Sequence, residues 1–383
     1  MTDFSDIRAF TDSDISDALK ELLKEPIFYR LIEKAFPNTK FEEMFENINT
    51  IEEVQHRFVL RYMEEMLQAK SDGFSCSGVE HLSDDKALLI LSNHRDIILD
   101  SALLNYIYLK NNLKTTEIAI GDNLLIFPWI KTLVRLNKSF IVKRNLPIKQ
   151  MMVESLKLSK YIKYTLSDKK NSIWIAQREG RAKDSDDRTS KALLKMLCMG
   201  DEQSIAESLS SMNITPLSIT YEYDPCDYLK AREYLLKKLN PDYKKSPEDD
   251  LLNMRTGIEG YKGRIHFHIA ANLNEDIAKI NDLDTKNEQV NAIAELIDQH
   301  IHLNYKFFPG NYIAHEMLYP ESDYSKYYDA KYRPIFEEYI QKQINRIPEK
   351  EGNEDFLRNM ILTMYANPLK NHIVAHSELK KHL

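Results

Sequence analysis

Hydrophobic positions along the chain follow two rhythms. Up to about residue 70 they recur at helical spacing: in DISDALKELLKEPIFYRLIEKAF, Leu19, Leu22, Leu23, Ile27 and Leu31 fall on one face, and IEEVQHRFVLRYMEEMLQAK repeats the pattern. Short apolar runs then alternate with amphipathic stretches. The runs at 86–91, 117–120, 139–142, 172–176, 214–223 and 264–269 predict strands, and the stretches at 97–109, 148–166, 190–211 and 227–238 predict helices. SDGFSCSG, with Gly73, Gly78 and its serines, reads as a break between the two regimes. From about residue 285 the helical spacing returns, through VNAIAELIDQHIHLNYKFF, YRPIFEEYIQKQINRI and DFLRNMILTMYANPL. The predicted architecture is an α/β domain over 76–285, a mostly parallel sheet flanked by helices. It carries an N-terminal helical domain over 1–75 and a C-terminal helical extension over 286–383.

Composition narrows the function classes. At 383 residues and 43% hydrophobic the chain buries a sizeable core, and only 10 glycines agree with a helix-rich molecule. A net charge of −7 argues against general nucleic-acid affinity. Cys76, Cys198 and Cys226 are too few and too scattered for a disulfide framework, so a reducing cytoplasm is expected. The segment from Met1 to Lys24 carries acids throughout and lacks an apolar core, so no targeting peptide is expected there. No window reaches the ~18 apolar residues of a membrane span. His266, His268, His300 and His302 invite a metal reading, but no carboxylate or cysteine cluster beside them completes a tetrahedral set, and no metal is expected.

Within LSNHRDIILDSALLN, His94-Arg95-Asp96 spells the triplet of the protein-kinase catalytic loop. That chemistry needs asparagine five residues after the aspartate, and Ser101 stands there. Gly73 and Gly78 are the only glycines before His94, too few for a phosphate loop, and Asp-Phe-Gly is absent. A histidine between a buried strand and a helix would instead face the crevice at the strand's carboxyl end, where open α/β sheets bind ligands. Asp96 can cap the helix and Asp100 lies one turn on; either carboxylate can orient the imidazole as a general base. No nucleophile accompanies the pair, which favours direct acyl transfer to a substrate hydroxyl. The plainer alternative is a capped helix with a loop histidine.

Four ordered blocks between about residues 78 and 270 make the chain resemble the glycerol-phosphate and lysophosphatidate acyltransferase superfamily. The first is SNHRDIILD, where the family pattern separates histidine and aspartate by four residues; five intervene between His94 and Asp100 here, with Asp96 as the other candidate. The second is SFIVKR, whose Arg144, with Lys143 beside it, can grip a phosphate through two parallel hydrogen bonds. The third is WIAQREGRAK, with Glu179, Gly180, Arg181 and Lys183, followed by Arg188 in DDRTSK. The fourth is ITPLSITYEY, where Pro216 would shape an acyl pocket. The resemblance implies an O-acyltransferase of phospholipid biosynthesis: His94 takes a proton from glycerol 3-phosphate or a lysolipid, which attacks an acyl-CoA or acyl carrier protein thioester. Arg144, Glu179 and Arg181, with Lys143, Gly180, Lys183 and Arg188 beside them, would hold the acceptor, and no cofactor is implied. An amino-acid lysolipid acceptor, a non-catalytic membrane-surface protein and a lipid hydrolase are the alternatives; the hydrolase lacks a Gly-x-Ser-x-Gly elbow.

Charge is spread unevenly. From Asn123 to Val153 there is no acid, while Lys131, Arg135, Lys138, Lys143, Arg144 and Lys149 supply six cations. PWIKTLVRLNK predicts an amphipathic helix with Trp129, Ile130, Leu133, Val134 and Leu136 on one side and Lys131, Arg135 and Lys138 opposite. Such a helix can lie in the headgroups on the inner face of a membrane, or pack on a core with a solvated basic edge. GIEGYKG lacks dinucleotide spacing and reads as a turn before RIHFHI.

Overall fold

The computed structural model describes residues 2–36 and 45–381. Seven strands form one sheet in the order β1-β7-β6-β2-β5-β3-β4. They are β1 Gly73–Ser77, β2 Leu89–Ser92, β3 Glu117–Gly121, β4 Ser139–Val142, β5 Ile173–Ala176, β6 Ile214–Tyr221 and β7 Arg264–Ile269. Every neighbouring pair is parallel except β6 and β7, so the five adjacent strands from β6 to the β4 edge send their carboxyl ends to one rim. The sheet is mostly parallel and flanked by helices, with further helices before and after it.

The helices that matter below are α1 Ile15–Leu23, α2 Pro26–Ala35, α3 Arg61–Lys70, α4 Leu99–Lys110, α5 Pro128–Leu136 and α6 Ile148–Ser167. They continue as α7 Asp227–Leu239, α8 Pro247–Glu259, α9 Lys286–Leu303, α10 Pro309–Leu318, α11 Tyr332–Asn345 and α12 Glu354–Lys381. On one face of the sheet α3 and α4 bury Met63, Leu103 and Ile107 against Ile90, Leu217 and Ile219. On the other, α6 and α9 bury Leu158, Ile162, Ile293 and Ile297 against Leu89, Leu91, Phe140 and Ile173. Burial on both faces explains why β2 and β5 read as apolar runs rather than alternating ones, while β6, buried throughout, also takes in Thr215, Ser218 and Thr220. The C-terminal helices close a third cluster around Leu235, Ile313, Ile340 and Leu357.

Several predicted elements shift. The break SDGFSCSG contains β1, which has little apolar content of its own and exists through main-chain pairing with β7. Gly78 follows it with φ +77°, and a Cβ there would meet the Ile269 carbonyl oxygen at 1.9 Å, so only glycine lets the chain leave the strand. The helix expected over 190–211 is two helices, Lys191–Leu197 and Ile205–Ser210, with Gly200 at φ +83° between them. Gly257, expected in a turn, lies inside α8. Of the apolar face expected near the N-terminus, Leu19 and Leu22 are buried while Leu23 and Ile27 are exposed; the side chain of Leu31 lies outside the described residues.

Candidate active site

The segment after β2 is pinned residue by residue. Asn93 bridges to β6, donating from Nδ2 to the Ile219 carbonyl at 2.9 Å and accepting the Ile219 N–H at 2.8 Å. It thereby continues the β2/β6 ladder with a side chain after the backbone turns away. His94 comes next, with Nδ1 2.8 Å from Asp100 Oδ2. That oxygen also accepts the backbone N–H groups of Arg95 at 2.6 Å and Asp96 at 3.0 Å. The other, Oδ1, accepts the Tyr221 hydroxyl at 3.1 Å.

A carboxylate fixed by four donors holds the imidazole in one orientation. With Nδ1 donating to Asp100, Nε2 is left as the lone-pair nitrogen. The His94 side chain keeps 13% exposure, so the ring is shielded but reachable. The Trp174 ring lies 5.7 Å away at 68°, and its own N–H is spent on Ser92 Oγ at 3.0 Å.

Asp96 does not touch the histidine. It accepts the N–H groups of Ile98 at 2.9 Å and Leu99 at 2.8 Å and starts α4. Burial first, and the charge of Asp100 second, push its carboxyl above the ordinary range. Gly257 of α8 presses so close that a Cβ would sit 1.9 Å from Asp96 Oδ2.

Arg95 runs into the interior and forms a two-pronged ion pair with Asp187, at 2.9 and 2.6 Å. Tyr305 donates to the same Asp187 at 2.6 Å, and His302 Nε2 lies 2.8 Å from the Asp187 carbonyl oxygen. Lys230 of α7 donates to the Arg95 carbonyl at 3.1 Å and pairs with Asp224. Neither Asp187 nor Tyr305 nor Tyr221 stood out in the sequence; the one visible signal was a tyrosine at the end of the β6 run.

Arg144 and Glu179 meet at the carboxyl ends of β4 and β5, with Nη1 3.1 Å from Oε1. The guanidinium lies over Gly121 at the end of β3, where a Cβ would come within 2.6 Å of Nε. Glu179 is 75% exposed, and Gly180 follows in the left-handed region at φ +69°. The other cations expected to hold an acceptor are engaged elsewhere. Lys143 bridges Asp6 and Glu154, Lys183 pairs with Glu233, and Arg188 contacts Asp186 and Asn371. Arg181 turns inward to Asn253 at 2.9 Å, leaving Nη1 buried without a partner. Pro216 is buried within β6 opposite Leu91.

The amphipathic helix is corrected by its surroundings. α5 packs on the N-terminal helices: Trp129 is 9% exposed, 6.3 Å from the Phe28 ring, and Leu136 is 1% exposed. Arg135 donates to the carbonyls of Arg8 and Ser5 and lies 4.3 Å over Phe10, and Lys138 binds the Thr115 carbonyl. Only Lys131 of the four residues assigned to a membrane face is exposed. The apolar side faces protein, not lipid.

His266 and His268 stand on β7, hydrogen-bonded to Ser75 and Ser77 of β1 at 2.8 Å each. Among the described residues no group of three or more potential ligands could hold a metal. A cleft of about 480 Å³ opens beside Arg264, Lys306, Tyr312, Tyr327 and Tyr332, without contribution from His94.

Residues 73–200 match the Acyltransferase family model. An Acyltransferase-type domain spans those residues. The matched residues open on β1 and contain His94, Asp100, Arg144 and Glu179, while Pro216 lies beyond them. Among solved structures this chain is similar to the 1-acyl-sn-glycerophosphate acyltransferase PlsC from Thermotoga maritima. The two are 13% identical, with a TM-score of 0.37 over 77% of this chain and 98% of the other. No curated protein matches this sequence. Among the described residues no helix is long and apolar enough to cross a membrane.

Proposed function

We propose that the protein transfers a fatty acyl group from a coenzyme A or acyl carrier protein thioester to a hydroxyl of glycerol 3-phosphate or a lysophosphatidate-type acceptor. The observation that carries this reading is the His94–Asp100 pair, whose acid is fixed by four donors and whose base nitrogen is free. Nε2 would take the proton as the acceptor oxygen attacks the thioester carbonyl. Asp100 would stabilise the imidazolium that forms, so the charge created at the ring is matched by one already in place. Collapse of the tetrahedral intermediate breaks the carbon–sulfur bond, and the thiolate leaves with the proton held on His94. No enzyme nucleophile enters the sequence.

Arg144 supports an acceptor that carries a phosphate. Its guanidinium is held at the rim by Glu179, an exposed partner that a doubly charged phosphate can displace at small cost. The test is incubation of the purified protein with labelled acyl thioesters and a panel of acceptors, with products identified by mass. His94→Ala should lose ~10²- to 10⁴-fold in kcat while keeping its thermal transition. A variant that acylates at the parental rate would end the proposal, and release of free fatty acid without acylated acceptor would assign a hydrolase instead.

A further inference from the structure

The residue after His94 is held on three sides. The Arg95 N–H is taken by Asp100, its carbonyl by Lys230, and its guanidinium by Asp187 through two parallel bonds. Arg95 and Asp187 are both buried, so this fork does not present itself to a substrate at the rim. A buried ion pair is a poor source of stability, because stripping water from two charges offsets most of their attraction. What it supplies is geometry: two parallel bonds set a distance and an angle, where apolar contact sets neither.

Asp187 is itself fixed from the far end of the chain. Tyr305, just beyond α9, donates to its Oδ2 at 2.6 Å, and His302 within α9 meets its carbonyl oxygen at 2.8 Å. Two residues on, Thr189 gives its N–H and its hydroxyl to Asp298 of α9 at 2.7 and 2.6 Å. Asn367 of α12 donates to the Asp184 carbonyl at 2.8 Å. The loop that carries Asp187, between β5 and the helix Lys191–Leu197, therefore follows the C-terminal helices as well as the sheet.

His94 stands between two anchors. Before it, Asn93 is tied to Ile219 of β6; after it, the anchor is Arg95. Asp100 depends on the second anchor too, since two of its four donors are the N–H groups of Arg95 and Asp96. A shift of the main chain at Arg95 would turn the ring and loosen its acid together.

We propose that Asp187 and Tyr305 are positioning residues for His94: by holding Arg95 they fix the main chain from which the imidazole projects, so helices after the sheet set the geometry of proton transfer. The inference rests on the reading of His94 as the base, and it adds residues that do not touch the ring.

Asp187→Asn should lower kcat ~10²-fold, the loss that a displacement of about 1 Å brings, with KM for both substrates within about twofold of wild type. Tyr305→Phe should lower kcat by a smaller factor. Because Asp187→Asn leaves a buried cation unpaired, the decisive variant is Arg95→Met combined with Asp187→Leu. It removes both charges and should keep the thermal transition while kcat falls as far. Nitrogen NMR on protein carrying isotopically labelled histidine reads the ring without turnover. The His94 signal, assigned by its loss in His94→Ala, should show the proton on Nδ1 in wild type and a move toward the Nε2-protonated form in the double variant. A folded double variant with wild-type kcat and wild-type tautomer overturns the proposal, as does a raised KM at unchanged kcat, which would make Arg95 a substrate ligand. Activity lost only in proportion to unfolded protein, with the tautomer intact, overturns it as well, since the ion pair would then be structural alone. A tautomer that changes in the variant of a protein showing no acyl transfer keeps the brace and ends the functional reading. An active wild type matched by its variant in both measurements does the reverse.

Discussion

Tyr221 reaches Asp100 Oδ1 from the last residue of β6, and burial first, with the nearby Asp100 charge second, pushes its own phenol pKa well above the usual value. Removing the hydroxyl leaves a buried carboxylate oxygen short of a donor, a loss of ~1–3 kcal/mol. Tyr221→Phe is therefore expected to lower kcat about tenfold with little change in KM for either substrate, because the defect lies behind the imidazole and not in a binding surface. Steady-state kinetics on the two variants, Tyr221→Phe and His94→Ala, separate positioning from proton transfer. His94 itself was legible in the sequence, since a polar triplet after a buried run has few uses at a strand end. The choice between Asp96 and Asp100 was not: spacing along the chain does not reveal which carboxylate the turn folds inward. Tyr221 and Asp187 were hidden for a related reason, because they come from segments remote in sequence that the sheet order brings together.

At the scale of the element, α5 shows how an amphipathic pattern can be right about the helix and silent about its neighbour. Its apolar positions are those the 3.6-residue period selects, but α1 and α2 cover them. Trp129→Ala should cost ~3–5 kcal/mol through the cavity left beside Phe28, seen as a lowered urea midpoint. A tryptophan facing out of the molecule would leave that midpoint in place. The alternation of short apolar runs and amphipathic stretches located β2 to β7, most plainly β2 and β5, because a strand buried on both faces is apolar nearly throughout. It passed over β1, where Gly73, Ser75 and Ser77 are tolerated at an edge that needs only its backbone. Gly257 misled in the other direction: it looks like a turn residue and serves as a gap in α8 that admits Asp96.

Across the whole molecule, charge burial ties stability to pH. Lys138 closes the turn between α5 and β4 with its ammonium on the Thr115 carbonyl, and burial lowers its pKa from 10.5 to about 8. Between those values the unfolded chain holds a proton that the folded chain has released, so this group's contribution to stability rises with pH across the window. Lys138→Met should therefore fall further behind wild type at about pH 10 than at pH 8, compared by urea unfolding at both. A constant difference would show that the ammonium is not desolvated in the fold.

The brace behind Arg95 carries a consequence for how the molecule comes into being. Asp187 and Tyr305 are made long after His94 and Asp100 have left the ribosome, and α7 supplies Lys230 in between. A nascent chain can lay down β2 and the start of α4 with the proton-transfer pair already present in its sequence. The loop that aims that pair is clamped only once the residues just beyond α9 are made, so the growing chain carries the pair unaimed until then.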